Sequence, residues 1–341
     1  MNELISSFAA IQEGRRTSAS LSMVHLSPGE VGDLPPHALG VVGFGRKPAR
    51  AGIPSITIPM EQLAGEDLCE GWLAENPVNV GEEEGLHYAD DGRVLFGALA
   101  RPGGGENPDS EAYDAYRQIV RFGQRTGFPH FLRIWNHVFA INEEHDGLER
   151  YKRFSRGRYQ ALKELGYRFD GDLPAASATG LTTPGLWIYF IASKTPATPI
   201  ENPRQVSAFH YPQKYGPRSP SFARGSVVDW PDSWQVFLSG TASIVGHETR
   251  HPGDVLGQLD ETVVNMAAVM KKAATIHGNE PLGIEQLTSV KIYLRDSRDL
   301  DRVRERLEPH LAPGASTLWV EADICRRDLL LEIEGIADIP K

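Results

Sequence analysis

The sequence predicts an α/β fold in which a unit of the order strand–helix–strand–helix–strand occurs twice, with the two units packed side by side and a cleft between them. The 341-residue chain has 40% hydrophobic and 23% charged residues, which suits a globular protein of about two domains. The same order of periodicities recurs at an offset of roughly 140–155 residues. Short segments match across that offset, LFGALA with LSGTAS and HDGLERYKRF with SRDLDRVRER.

The two halves are expected over residues 1–195 and 196–341. The first 60 residues are rich in glycine and proline and contain short apolar runs, Leu39–Val42 and Ile56–Ile58, which predict a leader of short strands and loops. A stretch with six prolines, 195–220, predicts the connection between the halves.

The first half has three predicted strands and two predicted helices. The apolar run Val94–Ala100 predicts a buried strand, and aromatic and aliphatic residues at helical spacing predict a helix over Ala112–Phe122. The alternating run Leu132–Ile141 predicts the next strand. A charged helix follows over 147–165, and Leu186–Ala192 predicts the closing strand.

The second half repeats this order and adds one strand. Strands are predicted at Val236–Ile244 and Leu287–Leu294, and helices at Leu259–Ala274 and Asp299–Leu307, the latter ended by Pro309. Two closing strands, Leu318–Cys325 and Leu329–Ile336, are predicted on either side of a tight Arg326-Arg327-Asp328 turn.

Charge and cysteine content exclude several classes of protein. The formal charge of −10 disfavours nucleic acid as a partner, because phosphate attraction needs a basic field, but it is compatible with an anionic small substrate held by local cations. Cys69 and Cys325 are the only cysteines, too few for a disulfide framework or a thiolate metal site. Neither a signal peptide nor a membrane-length apolar run is evident. We expect a cytoplasmic protein that binds no membrane.

The motif HETRH at 247–251 has the letters of a zinc-protease helix. That chemistry needs a helix, so that both histidines share one face. Here the motif follows a predicted strand and is interrupted by Pro252-Gly253, so we expect a polar loop and no metal site.

Basic and aromatic residues cluster in two places. Tyr151 and Arg158 are two turns apart in a predicted helix and therefore lie on one face. Tyr211 and Arg224 belong to a loop-like segment, where such residues more often bind ligands. Two separate guanidinium groups would suit a ligand with two carboxylates. The alternative interpretation of the helical cluster is a solvated cationic face.

Two glutamates interrupt the last apolar strand. Glu332 and Glu334 occupy alternate positions and so share one face of it. One interpretation is that one of them is a solvated residue of an edge strand. The other is a partly desolvated carboxyl with a raised pKa, able to donate a proton near neutral pH. Cys325, across the turn, is placed to face the same pocket, although an inert buried thiol is the default for a lone cysteine.

Taken together, these residues resemble one known family. The run SGTASIVGH, the YKRFSRGR helix, the AFHYPQKYG…FARG segment and the terminal strand with two glutamates are similar to the chorismatases, and LEIEGIA is similar to the closing strand of RidA/YjgF proteins. The resemblance covers residues 90–337, with the leader less distinctive. It implies two RidA/YjgF-like units and an enzyme that acts on chorismate without a metal or an organic cofactor.

The resemblance also implies roles for individual residues. Glu332 would be the general acid that protonates the methylene carbon of the chorismate enol ether and so generates an oxocarbenium ion. Arg158 and Arg224 would bind the two carboxylates of chorismate. Tyr151 and Tyr211 would orient its ring by hydrogen bonds and packing.

Three further residues bear on the product. Members that form an aromatic product are similar to this chain in having a cysteine where Cys325 stands, and Gly240 and Ala242 would help to set the ring position. Pyruvate and 3-hydroxybenzoate are therefore expected, with 4-hydroxybenzoate as a second product. The alternatives are a hydrolase that gives pyruvate and 3,4-dihydroxycyclohexa-1,5-diene carboxylate, a RidA-like enamine/imine deaminase, and a non-catalytic binding module. A monomer is expected, since a duplicated chain supplies both sides of its cleft, with a trimer as the alternative.

Overall fold

The structure, a computed structural model, describes residues 20–45, 48, 52–64, 67–277 and 282–341. The leader sheet is formed by β1 (Leu21–Leu26), β2 (Ala38–Phe44), β3 (Ser55–Ile58) and β4 (Cys69–Ala74). The first half follows with β5 (Asn79–Glu83), β6 (Leu86–Asp90), β7 (Val94–Pro102), α1 (Pro108–Thr126), β8 (His130–Phe139), β9 (Glu144–His145), β10 (Leu148–Glu149), α2 (Arg150–Glu164), β11 (Ala175–Leu181) and β12 (Gly185–Ser193). The second half has β13 (Ala197–Ile200), β14 (Gly225–Asp229), β15 (Ser233–Thr241), β16 (Ile244–Val245), β17 (Glu248–Thr249), α3 (Val255–His277), β18 (Ser289–Leu294), α4 (Leu300–Leu307), β19 (Ser316–Glu321) and β20 (Leu331–Pro340).

Both halves form a six-stranded sheet with the same topology. The first sheet has the strand order β5-β6-β7-β12-β8-β11, and the second has β13-β14-β15-β20-β18-β19. Within each sheet one pair is parallel, β8 with β11 and β18 with β19, and the chain crosses between those strands through a helix. The duplication predicted from the sequence is therefore present in the strand order itself.

Each sheet has one face covered by its own helices. α1 and α2 pack on the outer face of the first sheet, and α3 and α4 pack on that of the second. The inner faces share a central core with the leader sheet, to which Trp135 and Tyr189 come from the first sheet, Tyr293 from the second, and Phe44 and Trp72 from the leader. A polar side chain that points inward from either sheet is therefore removed from water.

Several expectations need correction. The sequence patterns did not predict β5, β6, β11, β13 and β14, and β13 lies within the proline-rich stretch 195–220. The strands joined by the Arg326-Arg327-Asp328 turn are not neighbours, because β18 pairs with both β19 and β20. An edge position for Glu332 or Glu334 is wrong for the same reason, since β20 lies between β15 and β18.

The leader strands and the HETRH motif lie where the sequence predicts a strand-rich leader and a non-helical segment. The predicted leader strands lie within β2 and β3, whereas residues 1–19 are outside the described residues. HETRH lies on the β16–β17 hairpin, so its histidines do not share a helix face. The division of the chain at residue 195 stays a prediction. Of the helices that the structure describes, none is long and apolar enough to span a membrane.

Candidate active site

A cavity of about 580 Å³ lies between the two halves. The first half contributes α2 and β11 to its wall, and the second contributes the loop before β14, the strand β15, the β16–β17 hairpin, the turn after β19, and β20. The volume is that of a small-molecule site. All eight residues singled out in the sequence line it: Tyr151, Arg158, Tyr211, Arg224, Gly240, Ala242, Cys325 and Glu332.

Glu332 is the carboxyl at the base of this cavity. It is 3% exposed, and its Oε1 has no hydrogen-bond partner. Burial raises the pKa of Glu332 to about 8, the Glu334 anion adds to the rise, and Arg133 and Arg224 oppose it. The Glu332 side chain is therefore mainly a neutral acid at pH 7, lying against a cavity that is open to ligand.

Gly240 makes room for that carboxyl. The pairing of β15 with β20 shifts register between Leu238 and Thr241, so a bulge places Gly240 over Glu332. A Cβ atom on Gly240 would lie 1.9 Å from Oε1 of Glu332 and 3.0 Å from Cβ of Ser177. Glycine is required here because the carboxyl occupies the space that any side chain would need.

Glu334 lies two residues further along the same strand and has the opposite properties. Its carboxyl accepts hydrogen bonds from Arg133 at 2.6 Å, Trp135 at 2.6 Å and Lys291 at 3.0 Å. Ser177 Oγ donates a fourth, at 2.9 Å. Burial alone would raise the pKa of Glu334, but Lys291 and Arg133 hold it at about 2. Glu334 is therefore ionised, whereas Glu332 is neutral.

Arg158 is a buried cation for which the described residues supply no anion. It is 1% exposed, and its Nε and Nη2 atoms have no hydrogen-bond partner. Its guanidinium lies 5.2 Å from the ring centroid of Phe154 and 5.9 Å from that of Phe222. A buried charge is costly unless it is paired, so this site suits an anion that the part of the chain described by the structure does not supply.

Arg224 also lies beside the Phe222 ring, with its guanidinium 5.1 Å from the ring centroid. It donates hydrogen bonds to Tyr211 Oη at 2.6 Å and to the Val206 carbonyl at 3.3 Å, while its Nε has no partner. Two separate guanidinium groups thus lie near one aromatic ring, and each can bind one carboxylate of a dicarboxylate.

Tyr151 and Cys325 are neutral groups on the same wall. Burial raises the pKa of Tyr151, and the neighbouring Cys325 adds to that rise. Burial likewise raises the pKa of the Cys325 thiol to about 12, with Glu332 adding to it and Arg326 opposing. Cys325 therefore presents a thiol rather than a thiolate, so it shapes the cavity and is not a nucleophile.

Other residues that line the cavity were not chosen from the sequence, and among them are Ser177, Tyr215, Phe222 and Arg326. Ser177 belongs to β11, a strand of small residues without a clear pattern. Phe222 and Tyr215 lie in the same loop as Tyr211, and their position in that aromatic segment was the sequence feature that could have predicted them. The Arg326 guanidinium lies 4.2 Å from the ring centroid of Tyr215. Its position in a predicted turn gave no indication of this contact.

The cavity has a positive local charge although the chain carries −10. Four carboxyl side chains line it, and Glu332 among them is mainly protonated at pH 7. The cationic lining residues are six: Lys152, Arg158, Lys214, Arg224, Arg326 and Arg327. Such a field attracts anions into the cleft.

Comparisons with known proteins point to one family. The family model described as chorismatase FkbO/Hyg5-like, N-terminal, matches residues 70–192. A 3-hydroxybenzoate synthase of Streptomyces hygroscopicus is 36% identical over 293 residues, covering 84% of this chain and 86% of the relative. A chorismatase of Streptomyces rapamycinicus is 35% identical over 298 residues, with 84% and 86% covered.

A crystal structure of a chorismatase superposes with a TM-score of 0.85 at 32% identity, covering 93% of this chain and 98% of that one. The likeness extends over the leader sheet and both halves. The predicted duplication of one α/β unit is confirmed by the strand order, and the chain belongs to the chorismatase family.

Proposed function

We propose that this protein converts chorismate to pyruvate and 3-hydroxybenzoate, with 4-hydroxybenzoate as a second product, and that Glu332 is the general acid. The observation that carries the proposal is the buried Glu332 carboxyl, its pKa raised to about 8, in a cavity that also contains two incompletely paired arginines. The name of the 3-hydroxybenzoate synthase relative supports the product.

Substrate binding follows from charge. Chorismate carries one carboxylate on its ring and another on its enolpyruvyl group. The free Nε and Nη2 atoms of Arg158 match one carboxylate, and Arg224, with a free Nε, matches the other. Tyr211, which Arg224 already holds by a hydrogen bond, and Tyr151 lie against the ring between them. Pairing with the ligand relieves the cost of the buried Arg158 charge.

Proton transfer then starts the reaction. Glu332 delivers its proton to the methylene carbon of the enol ether, and the electron pair of the double bond forms the new C–H bond. The product is an oxocarbenium ion next to a newly ionised carboxylate, a favourable pair in a cavity of low polarity. A carboxyl with a pKa near 8 is protonated at neutral pH and still acidic enough to act.

The fate of that cation determines the product. Pyruvate and a hydroxybenzoate together contain the atoms of chorismate. Pyruvate takes the ether oxygen as the C3–O bond breaks, the oxygen of the C4 hydroxyl stays on the ring and moves to C3 in 3-hydroxybenzoate, and the ring loses one proton, so no oxidant or reductant is needed. Cys325 lies beside Tyr151 and Glu332 and supplies a small neutral group, which favours aromatisation over simple hydrolysis. Gly240 and Ala242 leave room for the ring. Because one chain supplies both walls, we propose that the monomer is the active form.

A Glu332→Gln variant tests the role of the acid. We expect this variant to release no pyruvate in a coupled lactate dehydrogenase assay, while calorimetry still detects chorismate binding. The amide keeps the shape of the side chain but cannot donate the required proton. The control is Glu261→Gln. Glu261 lies on α3, outside the cavity, and the substitution removes its partly buried ion pair with Arg204. Turnover by Glu332→Gln near the wild-type rate would refute the proposal.

A further inference from the structure

We propose that Glu334 is a positioning residue that keeps the proton on Glu332, and that Glu70 of the leader sheet supports it through Lys291. The proposal deepens the function given above and rests on Glu332 being the acid. It assigns a role in proton transfer to residues outside the cavity wall, one of them from the leader.

The geometry of β20 brings the two carboxyls together. Glu332 and Glu334 are on one face of the strand, with their Cα atoms about 7 Å apart. Two carboxyls this close inside a protein do not both ionise readily, so their surroundings decide which of them keeps a proton.

The hydrogen-bond donors are distributed unequally between them. Glu334 receives four donors, two of them cationic, and a carboxylate uses all four as an acceptor. No hydrogen bond to Glu332 is present among the described residues, and its Oε1 is buried. The ionised form of Glu334 is therefore the one that its surroundings stabilise, and the proton stays on Glu332.

Lys291 is itself fixed from the leader sheet. Its Nζ lies 2.5 Å from Glu70 Oε1 and donates a hydrogen bond to Tyr189 Oη at 2.8 Å. Tyr189 in turn donates to the second oxygen of Glu70 at 3.0 Å. Lys291 is 3% exposed and Glu70 is 2% exposed, so neither charge is screened by water.

The four charges of this cluster balance one another. Arg133 and Lys291 are the cations, and Glu70 and Glu334 are the anions. Each cation is already bonded to a carboxylate, so neither forms a hydrogen bond with Glu332, and Arg133 favours the ionised form of Glu332 only through space.

The other groups that face Glu332 do not replace that missing partner. Arg224 is hydrogen-bonded to Tyr211. The remaining neighbours are protonated and neutral: Tyr293 opposite it on β18, Tyr151 on α2, and Cys325 in the turn. The negative charge of Glu334 therefore raises the pKa of Glu332, and the opposing through-space effects of Arg133 and Arg224 do not cancel that rise.

A Glu334→Gln variant tests this. Removal of the anion leaves Arg133 and Lys291 with excess positive charge, so Glu332 should ionise at a pH about one to two units lower. We expect the alkaline limb of the kcat profile to move down by that amount, and activity lost at pH 7 to return near pH 5.5. A merely structural defect would not be rescued by acid.

The protonation of Glu332 can also be measured without turnover. A protonated carboxyl has a characteristic infrared carbonyl stretch. The spectrum of a parent protein minus that of the same protein carrying Glu332→Gln isolates the signal of Glu332, and its intensity as a function of pH gives the titration of that group. In the Glu334→Gln background the titration should shift in parallel with the kcat profile. If Glu332→Gln proved active, the proposed function would fail, yet this comparison would still decide the role of Glu334.

A milder variant covers the case in which Glu334→Gln does not fold. Glu70→Gln removes a more distant anion and leaves Lys291 with excess charge, so the titration should shift in the same direction by about half a unit. Glu261→Gln, the ion-pair control, should leave both profiles in place. A Glu332 titration that stays at the wild-type pH in every folded variant of Glu334 and Glu70 would overturn the proposal.

Discussion

Gly240 gives the sharpest structural test of how the acid is placed. In a Gly240→Ala variant the new Cβ would lie 1.9 Å from Oε1 and 2.5 Å from the carboxyl carbon of Glu332. An ordinary carbon contact is about 3.5–4.0 Å, so the carboxyl must withdraw by about 1.5 Å or β15 must move. Ser177, whose Cβ would be 3.0 Å away, limits movement of the strand.

The consequence can be estimated from that displacement. A catalytic group misplaced by about 1 Å typically loses about 100-fold in rate, so we expect kcat for pyruvate release to fall by about 100-fold or more. Overpacking of this kind costs about 1–3 kcal/mol of folding free energy, so the melting temperature should fall only by a few degrees. The rate loss would thus far exceed any loss of folded protein.

The assay is the coupled measurement of pyruvate on folded protein, with Gly32→Ala as the control because no atom lies within 4 Å of a Cβ at that exposed position. A second background sharpens the result. Glu332→Asp is shorter and should itself be slow, but adding Gly240→Ala to it should cause little further loss, because the clash has been removed. A Gly240→Ala enzyme within about threefold of the wild type would refute the reasoning.

Three more predictions follow from the cavity. Activity should decline as the pH rises through about 8, because Glu332 must carry the proton, and a kcat profile that rises or stays flat from pH 7 to 9 would count against it. Arg158→Met should raise KM for chorismate by about 100-fold, from the loss of a charge-assisted pair, while the free protein melts at a higher temperature because an unpaired buried charge is gone. An unchanged KM would remove Arg158 from the binding site. Cys325→Ala or Cys325→Val should change the ratio of 3-hydroxybenzoate to the other products in chromatography, with pyruvate release retained. An unaltered ratio would show that the thiol does not direct the cation.

Local sequence patterns were sufficient for the duplicated α/β order and for six of the predicted lining residues, whereas Gly240 and Ala242 were predicted only from the resemblance to the chorismatases. The predicted helices and most predicted strands have a continuous hydrophobic periodicity. Such a pattern can be recognised from the local sequence alone, without knowing which elements pack beside it. The undetected strands lack it. For example, β11 reads AASATGL and consists mostly of small residues, and β13 contains Pro199.

The electrostatics beneath the site could not be predicted in this way. Glu70, Arg133, Lys291 and Glu334 come from three different sheets and meet only through tertiary packing. In the sequence, Lys291 is a single cation in an apolar strand, with no indication of its partners. The pairing of β20 between β15 and β18 is equally non-local, and it is what turns two apparent edge glutamates into a buried acid and its ionised neighbour.

The central claim is that Glu332 protonates the enolpyruvyl carbon of chorismate and that the ring leaves as an aromatic acid. The most direct measurement is turnover of chorismate by the purified protein in D₂O with EDTA present, with the products resolved by chromatography and mass spectrometry. We predict pyruvate that carries one deuterium in its methyl group, in an amount equal to the sum of 3-hydroxybenzoate and 4-hydroxybenzoate. Pyruvate with the non-aromatic diol would contradict the proposed product, and no consumption of chorismate would contradict the proposed function itself.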